Sequence, residues 1–196
     1  LIKVISGVYT PDSGSITIKG KTYPSLTPTQ SIASGIQVIY QDFSLFPNLT
    51  VAENIAMGYH LYQKNKIVNK KKNREMARKM IDEIGVPIDL EREVGKLSVG
   101  EKQVVAICRA LLLDAELIIM DEPTTALTAK EVRSLYGIIE DLKKKGIALI
   151  FVSHKLNEVF EVAESICVLR DGKNVIDGPK EEFDETKMTY YMTGRN

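Results

Sequence analysis

The 196 residues carry 26 basic and 26 acidic side chains, a net charge of zero, with 44% hydrophobic residues. That length suits one domain with room for two lobes, and the apolar share supplies a sizeable core. The even charge argues against a chain built to coat nucleic acid, and no run approaches the ~18 apolar residues of a membrane span. Any work at a membrane would therefore go through a partner. Cys108 and Cys167 lack CxxC spacing and sit in apolar runs, which predicts buried thiols in a reducing, cytoplasmic setting.

Leu1 to Gly7 reads as the end of a helix, with Gly7 as its stop. Residues 8–40 read as a small β-rich lobe. Within it Ser15 to Lys19 alternates polar and apolar as a half-buried strand does, and Gly20-Lys21 is the expected turn. Thr27-Pro28-Thr29-Gln30 predicts a helix start, with Thr27 as cap, Pro28 at the first helical position and Gln30 closing a capping box; Gly35 ends that helix. Ile36 to Tyr40 is the next strand, with Gln41 at its end. Residues 50–110 read as a helical lobe, opened by a capping box of Thr50 and Glu53. Eight basic residues fall between Lys64 and Lys79. The stripe of Met76, Met80, Ile81 and Ile84 turns those charges outward, so a solvated helix face outweighs a patch for anionic lipid or nucleic acid. Gly85 and Pro87 stop this helix.

Ser98 and Glu101 form another capping box, and the helix it opens runs to Leu113 with Val104, Ile107, Cys108, Leu111 and Leu112 toward the core. The free N–H groups at that N-terminus attract phosphate. Leu117 to Met120 suits a strand buried on both faces of a parallel sheet, which places Asp121 and Glu122 at its carboxyl end, where open α/β sheets bind ligands. One carboxylate there could hold Mg2+ and the next could polarise a water. Thr128 and Glu131 cap the following helix, whose core side is Val132, Leu135, Ile139 and Leu142. Ile147 to Ser153 is a second fully apolar strand, closed by His154. Alternation of helices and strands argues a parallel sheet with right-handed crossovers. An Asp171-Gly172 hairpin and a terminal helix within Lys180 to Gly194 complete the chain.

These residues carry a resemblance to the nucleotide-binding domain of ABC transporters. Leu97-Ser98-Val99-Gly100-Glu101 resembles the family signature Leu-Ser-Gly-Gly-Gln, with Val99 and Glu101 as departures. Leu117 to Glu122 resembles the Walker B strand with its catalytic glutamate, Tyr40-Gln41-Asp42 the Q-loop, and Phe151-Val152-Ser153-His154-Lys155 the H-loop. Thr125 to Thr128 lies at the D-loop, with Thr128 in place of the usual Asp. The wording Glu122-Pro123-Thr124-Thr125-Ala126-Leu127-Thr128 resembles the branch that imports ribose, galactose and xylose.

The resemblance implies an α/β fold: a P-loop NTPase-like parallel sheet core (111–196), with the small β lobe (8–40) and a helical lobe (50–110) ending in the signature helix. It implies ATP and Mg2+ as cofactors. Asp121 and Gln41 would then serve the metal, and Glu122 and His154 would act in catalysis. Ser98, Val99, Gly100 and Glu101 would face the nucleotide held by a second nucleotide-binding domain in a head-to-tail dimer. The further partners implied are transmembrane permease subunits and, indirectly, a periplasmic or extracellular sugar-binding protein, with the domain peripheral at the cytoplasmic face of the membrane. No G-x-x-x-x-G-K-[ST] occurs in the chain. By the resemblance that P-loop would lie just before Leu1, which reads as a fragment that alone would bind ATP poorly and hydrolyse none. The alternatives are a soluble ABC-type ATPase acting on ribosomes or DNA, and an interaction module without nucleotide chemistry.

Overall fold

In the computed structural model, which describes residues 1–63 and 69–194, six of the eight α-helices among those residues begin at a side-chain cap. In chain order the elements are α1 (Ile2–Ile5), β1 (Ile16–Ile18), β2 (Lys21–Tyr23), α2 (Pro28–Ala33), β3 (Ile36–Ile39), α3 (Val51–Tyr62) and α4 (Lys70–Ile84). There follow α5 (Val99–Leu112), β4 (Leu117–Asp121), α6 (Ala129–Lys144), β5 (Ala148–Val152), α7 (Leu156–Val162), β6 (Ser165–Arg170), β7 (Lys173–Pro179) and α8 (Glu185–Thr193). All four expected capping boxes form, at Thr27, Thr50, Ser98 and Thr128, each with the backbone and the side chain of the third residue of its helix engaged. The chain divides into two units, Leu1–Ile150 and the part from Phe151 onward.

In the first unit β1 and β2 form an antiparallel hairpin with Ile18 opposite Lys21. Its turn is therefore Lys19-Gly20, both at positive φ (51° and 76°), and Lys21 already belongs to the strand rather than to the expected Gly20-Lys21 turn. A two-residue turn of this hand matches the twist of the strands it joins. The main sheet has the order β3-β4-β5. β3 and β4 are parallel, in register from Ile36 against Leu117 to Ile39 against Met120. Ile118, Ile119 and Met120 are wholly buried, as a strand covered on both faces requires. β5 departs from expectation. It lies at the edge of this sheet, and Ala148 and Ile150 are exposed, so its apolar run is not fully buried.

Helices α3, α4 and α5 pack against one another, and α5 also contacts β3 and α6. Gln103 to Cys108 is buried without a break. The helix thus has no solvated face over that stretch, whereas Leu111 and Leu112, expected in the core, are only half-buried near its end. On α4 the stripe buries Ala77, Met80 and Ile81, and Lys70, Lys71, Lys72, Arg74, Arg78 and Lys79 are exposed. Lys64 and Lys66 of the same basic run lie outside the described residues. Buried Asn73 meets His60 of α3, with Nε2 to Oδ1 at 2.6 Å.

The second unit has its own core, in which Ile166, Val168, Phe183 and Met188 are buried against α7 and α8 residues such as Phe160 and Tyr191. β6 and β7 form the expected hairpin, with Asp171 and Gly172 at positive φ in its turn. Alternation along β6 sends Ile166 and Val168 inward and Cys167 outward, so Cys167 is exposed and not the buried thiol its apolar neighbours suggest. Cys108 is buried, and burial pushes its thiol up to about 12.

The loop entering α3 is braced from below. Asn54 is wholly buried; its Oδ1 accepts the Phe46 N–H (2.8 Å), and its Nδ2 donates toward the carbonyls of Phe46 (3.0 Å), Thr50 (3.0 Å) and Leu49 (3.3 Å). An apolar side chain there leaves the Phe46 N–H without its acceptor and takes one of two donors from each of three carbonyls. Asn54→Leu is expected to destabilise the protein by about 3 kcal/mol, measured as a lower urea midpoint at unchanged slope.

Candidate functional site

Parallel pairing brings β3 and β4 out of the sheet at one edge. Asp121 closes β4, and Gln41 follows β3, which ends at Ile39, one residue earlier than expected. The chain turns there because the Phe43 N–H donates back to the Tyr40 carbonyl (2.8 Å). Gln41 and Asp121, with Tyr40, Asp42 and Ser44, line one open cavity of 470 Å³. An amide oxygen and a carboxylate oxygen facing one space are hard donors of the kind Mg2+ takes. Among the described residues no group of three or more His, Cys, Asp and Glu could hold a metal by itself. The amide and carboxylate oxygens of Gln41 and Asp121 fit the group by their donor chemistry.

Glu122 follows Asp121 at φ 48°, in the left-handed region. For a residue with a Cβ this costs about 1 kcal/mol. The turn is held by Thr125, whose N–H reaches the Glu122 carbonyl (3.4 Å) and whose hydroxyl lies 3.2 Å from that carbonyl and 3.3 Å from carboxylate Oε2.

Two further left-handed residues, Phe43 (φ 58°) and Ser44 (φ 46°), form the loop beyond Gln41. Asp42 Oδ1 accepts from both the N–H and the hydroxyl of Ser44, each at 3.2 Å. From the flank of α5, Arg109 donates Nη1–H to the Ser44 carbonyl (2.7 Å) and Nη2–H to the Phe43 carbonyl (2.9 Å). Burial pulls this guanidinium below its usual value, and Asp42 offsets part of that. Arg109 is a positioning residue that the sequence reading missed.

At the N-terminus of α5, Ser98 is exposed, and Val99, Gly100 and Glu101 are half-buried. The Glu101 carboxylate stays with its cap. Oε2 accepts the Ser98 N–H (2.7 Å), and Arg92 lies 3.1 Å from Oε1. Glu131, 30 or more residues away, reaches the same spot: its Oε1 accepts from the Ser98 hydroxyl (3.0 Å) and the Gly100 N–H (3.1 Å), while Oε2 accepts from the N–H (2.9 Å) and hydroxyl (2.8 Å) of Thr128. A Cβ on Gly100 would lie 2.6 Å from that Oε1, so a larger residue there requires the Glu131 side chain to move.

His154 belongs to the second unit, two residues beyond β5, and is exposed. Both its neighbours are tied to Glu158, which is buried: the Ser153 hydroxyl donates to Oε2 and Lys155 Nζ to Oε1, each at 2.9 Å. The first unit therefore brings together Gln41, Asp121 and Glu122 at one sheet edge and Ser98 to Glu101 at one helix end, and the second unit fixes the backbone around His154. Glu158 and the second contact of Glu131 were missed, since only the pairing of Thr128 with Glu131 shows in local spacing.

The profile of the family described as ABC transporter matches residues 1–125. A ribose import ATP-binding protein from Roseobacter denitrificans is 42% identical over 99% of this chain and 38% of its own length. One from Clostridium perfringens is 42% identical over 100% of the chain and 39% of its own length. A putative ribose/galactose/methyl galactoside import ATP-binding protein from Pseudomonas fluorescens is 35% identical over 100% of the chain and 38% of its own length. The chain thus spans about two fifths of these relatives. Among solved structures, a nucleotide-free ATP-binding cassette from an ABC transporter superposes with a TM-score of 0.80 at 24% identity, covering 98% of this chain and 78% of that one. An ATP-binding cassette in a dimeric post-hydrolysis state bound to ADP and Pi gives 0.74 at 23%, covering 91% and 78%. At such identity these two speak for the fold alone.

Hydrogen bonds from the Thr128 backbone and hydroxyl, with those from Ser98 and Gly100, hold the Glu131 carboxyl at about 2, below its ordinary 4.5. A depressed folded value means that its stabilising contribution is fully present above 4.5 and is lost as pH falls toward about 2. The stability difference between the protein and Glu131→Gln should therefore shrink across that window, read from urea unfolding at stepped pH.

Proposed function

The chain belongs to the ABC transporter family, and from that premise we propose that it is the ATP-binding and ATP-hydrolysing part of an importer for a simple sugar. It would work in a head-to-tail pair with a second nucleotide-binding domain. It would sit peripherally on permease subunits at the cytoplasmic face of the membrane, and a sugar-binding protein would deliver to those subunits from the other side. The sugar class is supported by relatives named for ribose and galactose import. The observation that carries the nucleotide chemistry is the shared cavity of Gln41 and Asp121, next to Glu122.

In this reading Asp121 and Gln41 hold Mg2+, directly or through water. Bound Mg2+ supplies neutralising charge to the phosphate oxygens during transfer. Glu122 orients the attacking water and accepts its proton, and the backbone turn fixed by Thr125 keeps that carboxylate at the strand end. His154 donates to the γ-phosphate from its loop braced by Glu158. Ser98, Val99, Gly100 and Glu101 serve the nucleotide of the second nucleotide-binding domain, through the hydroxyl and backbone N–H groups of a helix N-terminus. Arg109 holds the Gln41 loop to α5, so the metal side and the helix carrying that N-terminus are mechanically joined.

In the full-length protein, Glu122→Gln is expected to retain calorimetric nucleotide binding while phosphate release falls about a thousandfold; undiminished turnover would overturn the assignment. Glu101→Gln keeps an acceptor for the Ser98 N–H and gives up only an exposed ion pair, worth under about 1 kcal/mol. Turnover is expected to hold or rise, and a clear fall would show that the carboxylate itself is needed.

A further inference from the structure

We propose that Glu131 is a built-in competitor for the anion seat at the N-terminus of α5, and that its carboxylate must leave Ser98 and Gly100 before a phosphate held by a second copy can dock there. This rests on reading Ser98 to Glu101 as the segment that meets the partner's nucleotide. The structure already holds an anion on that seat. Oε1 accepts from one hydroxyl and one backbone N–H, the same two kinds of donor a terminal phosphate oxygen would use. Two anionic oxygens cannot share those two donors, so occupancy is exclusive. The contact is also tight: a single added carbon on Gly100 would collide with the Glu131 carboxyl.

Displacement is feasible because Glu131 does not depend on the seat for its other bonds. Oε2 stays with the N–H and hydroxyl of Thr128 at the head of α6 when Oε1 lets go. The carboxylate is ionised at neutral pH, so its hold on the seat is that of a charge. Glu131 therefore keeps Ser98 oriented and the seat closed in the unpaired protein, and it raises the nucleotide concentration needed for pairing.

The test uses the full-length protein carrying Glu122→Gln, titrated with MgATP, with pairing followed by sedimentation velocity. Adding Glu131→Gln, which retains a cap for α6 but no charge, is expected to lower the ATP needed for half-pairing about fivefold. Glu131→Asp, which keeps the charge but shortens the reach to Ser98, is expected to lower it as well, and guards against misfolding of either variant. A Glu131 of merely structural value would weaken pairing when replaced, so an unchanged or raised ATP requirement in both variants overturns the proposal. If the protein with Glu122→Gln alone shows no ATP-dependent pairing, or pairs equally well after Ser98→Ala, the underlying reading of the segment falls and the proposal falls with it.

Discussion

The arrangement depends on α5 being a helix without a solvent side over its middle. Six consecutive residues, Gln103 to Cys108, are buried because α3, α4, β3 and α6 all contact this helix. Fully burying a Val or Ile side chain contributes about 1.5–3 kcal/mol, and Val104, Val105 and Ile107 all do so here. A helix gripped this way behaves as a rigid rod. Its capped N-terminus is held at one place, and Arg109 on its flank fixes the loop that leaves β3. The two chemical elements of the first unit are thus attached to one body.

Three of the six non-glycine residues at positive φ among the described residues lie where the chemistry is proposed, and the other three, Lys19, Asp114 and Asp171, lie in turns elsewhere. Phe43, Ser44 and Glu122 all occupy the left-handed region, next to Gln41 and Asp121. Each conformation is over-determined by neighbours: Asp42 and Arg109 hold the first two, and Thr125 holds the third. Such residues persist only where the surroundings compensate. The compensation comes from hydrogen bonds made by neighbouring side chains, the Arg109 bond to the Phe43 carbonyl being the part-buried one.

Much of this was legible in the sequence wherever the determinant is local. Thr27, Thr50, Ser98 and Thr128 each carry their cap partner three residues on, and all four helices start there. That Gln41 and Asp121 would serve one site was implied by the family resemblance, and the parallel pairing of β3 and β4 lays both residues on one cavity. What escaped depends on distant sequence. Arg109 reads as one more charge on an amphipathic helix until the fold lays it against carbonyls more than 60 residues away. Glu131 reads as a completed capping box, and nothing in its spacing tells that its second oxygen serves another helix. The apolar runs around Ile150 and Cys167 misled because composition cannot say that β5 is an edge strand or which face of β6 looks outward. Asn54 and Glu158 are buried polar residues, and their value lies in loops they brace rather than in any pattern of their own.

The left-handed backbone at Glu122 sets stability against selection. Glycine adopts φ 48° without the penalty that a Cβ brings, and asparagine with less of it. Relief of that backbone strain would favour those residues at position 122 in any lineage released from its activity. A glutamate standing in that strained turn fits the role proposed for it. The identity of this one position in diverged copies of the chain would separate lineages still under selection for chemistry from those preserved only as folds.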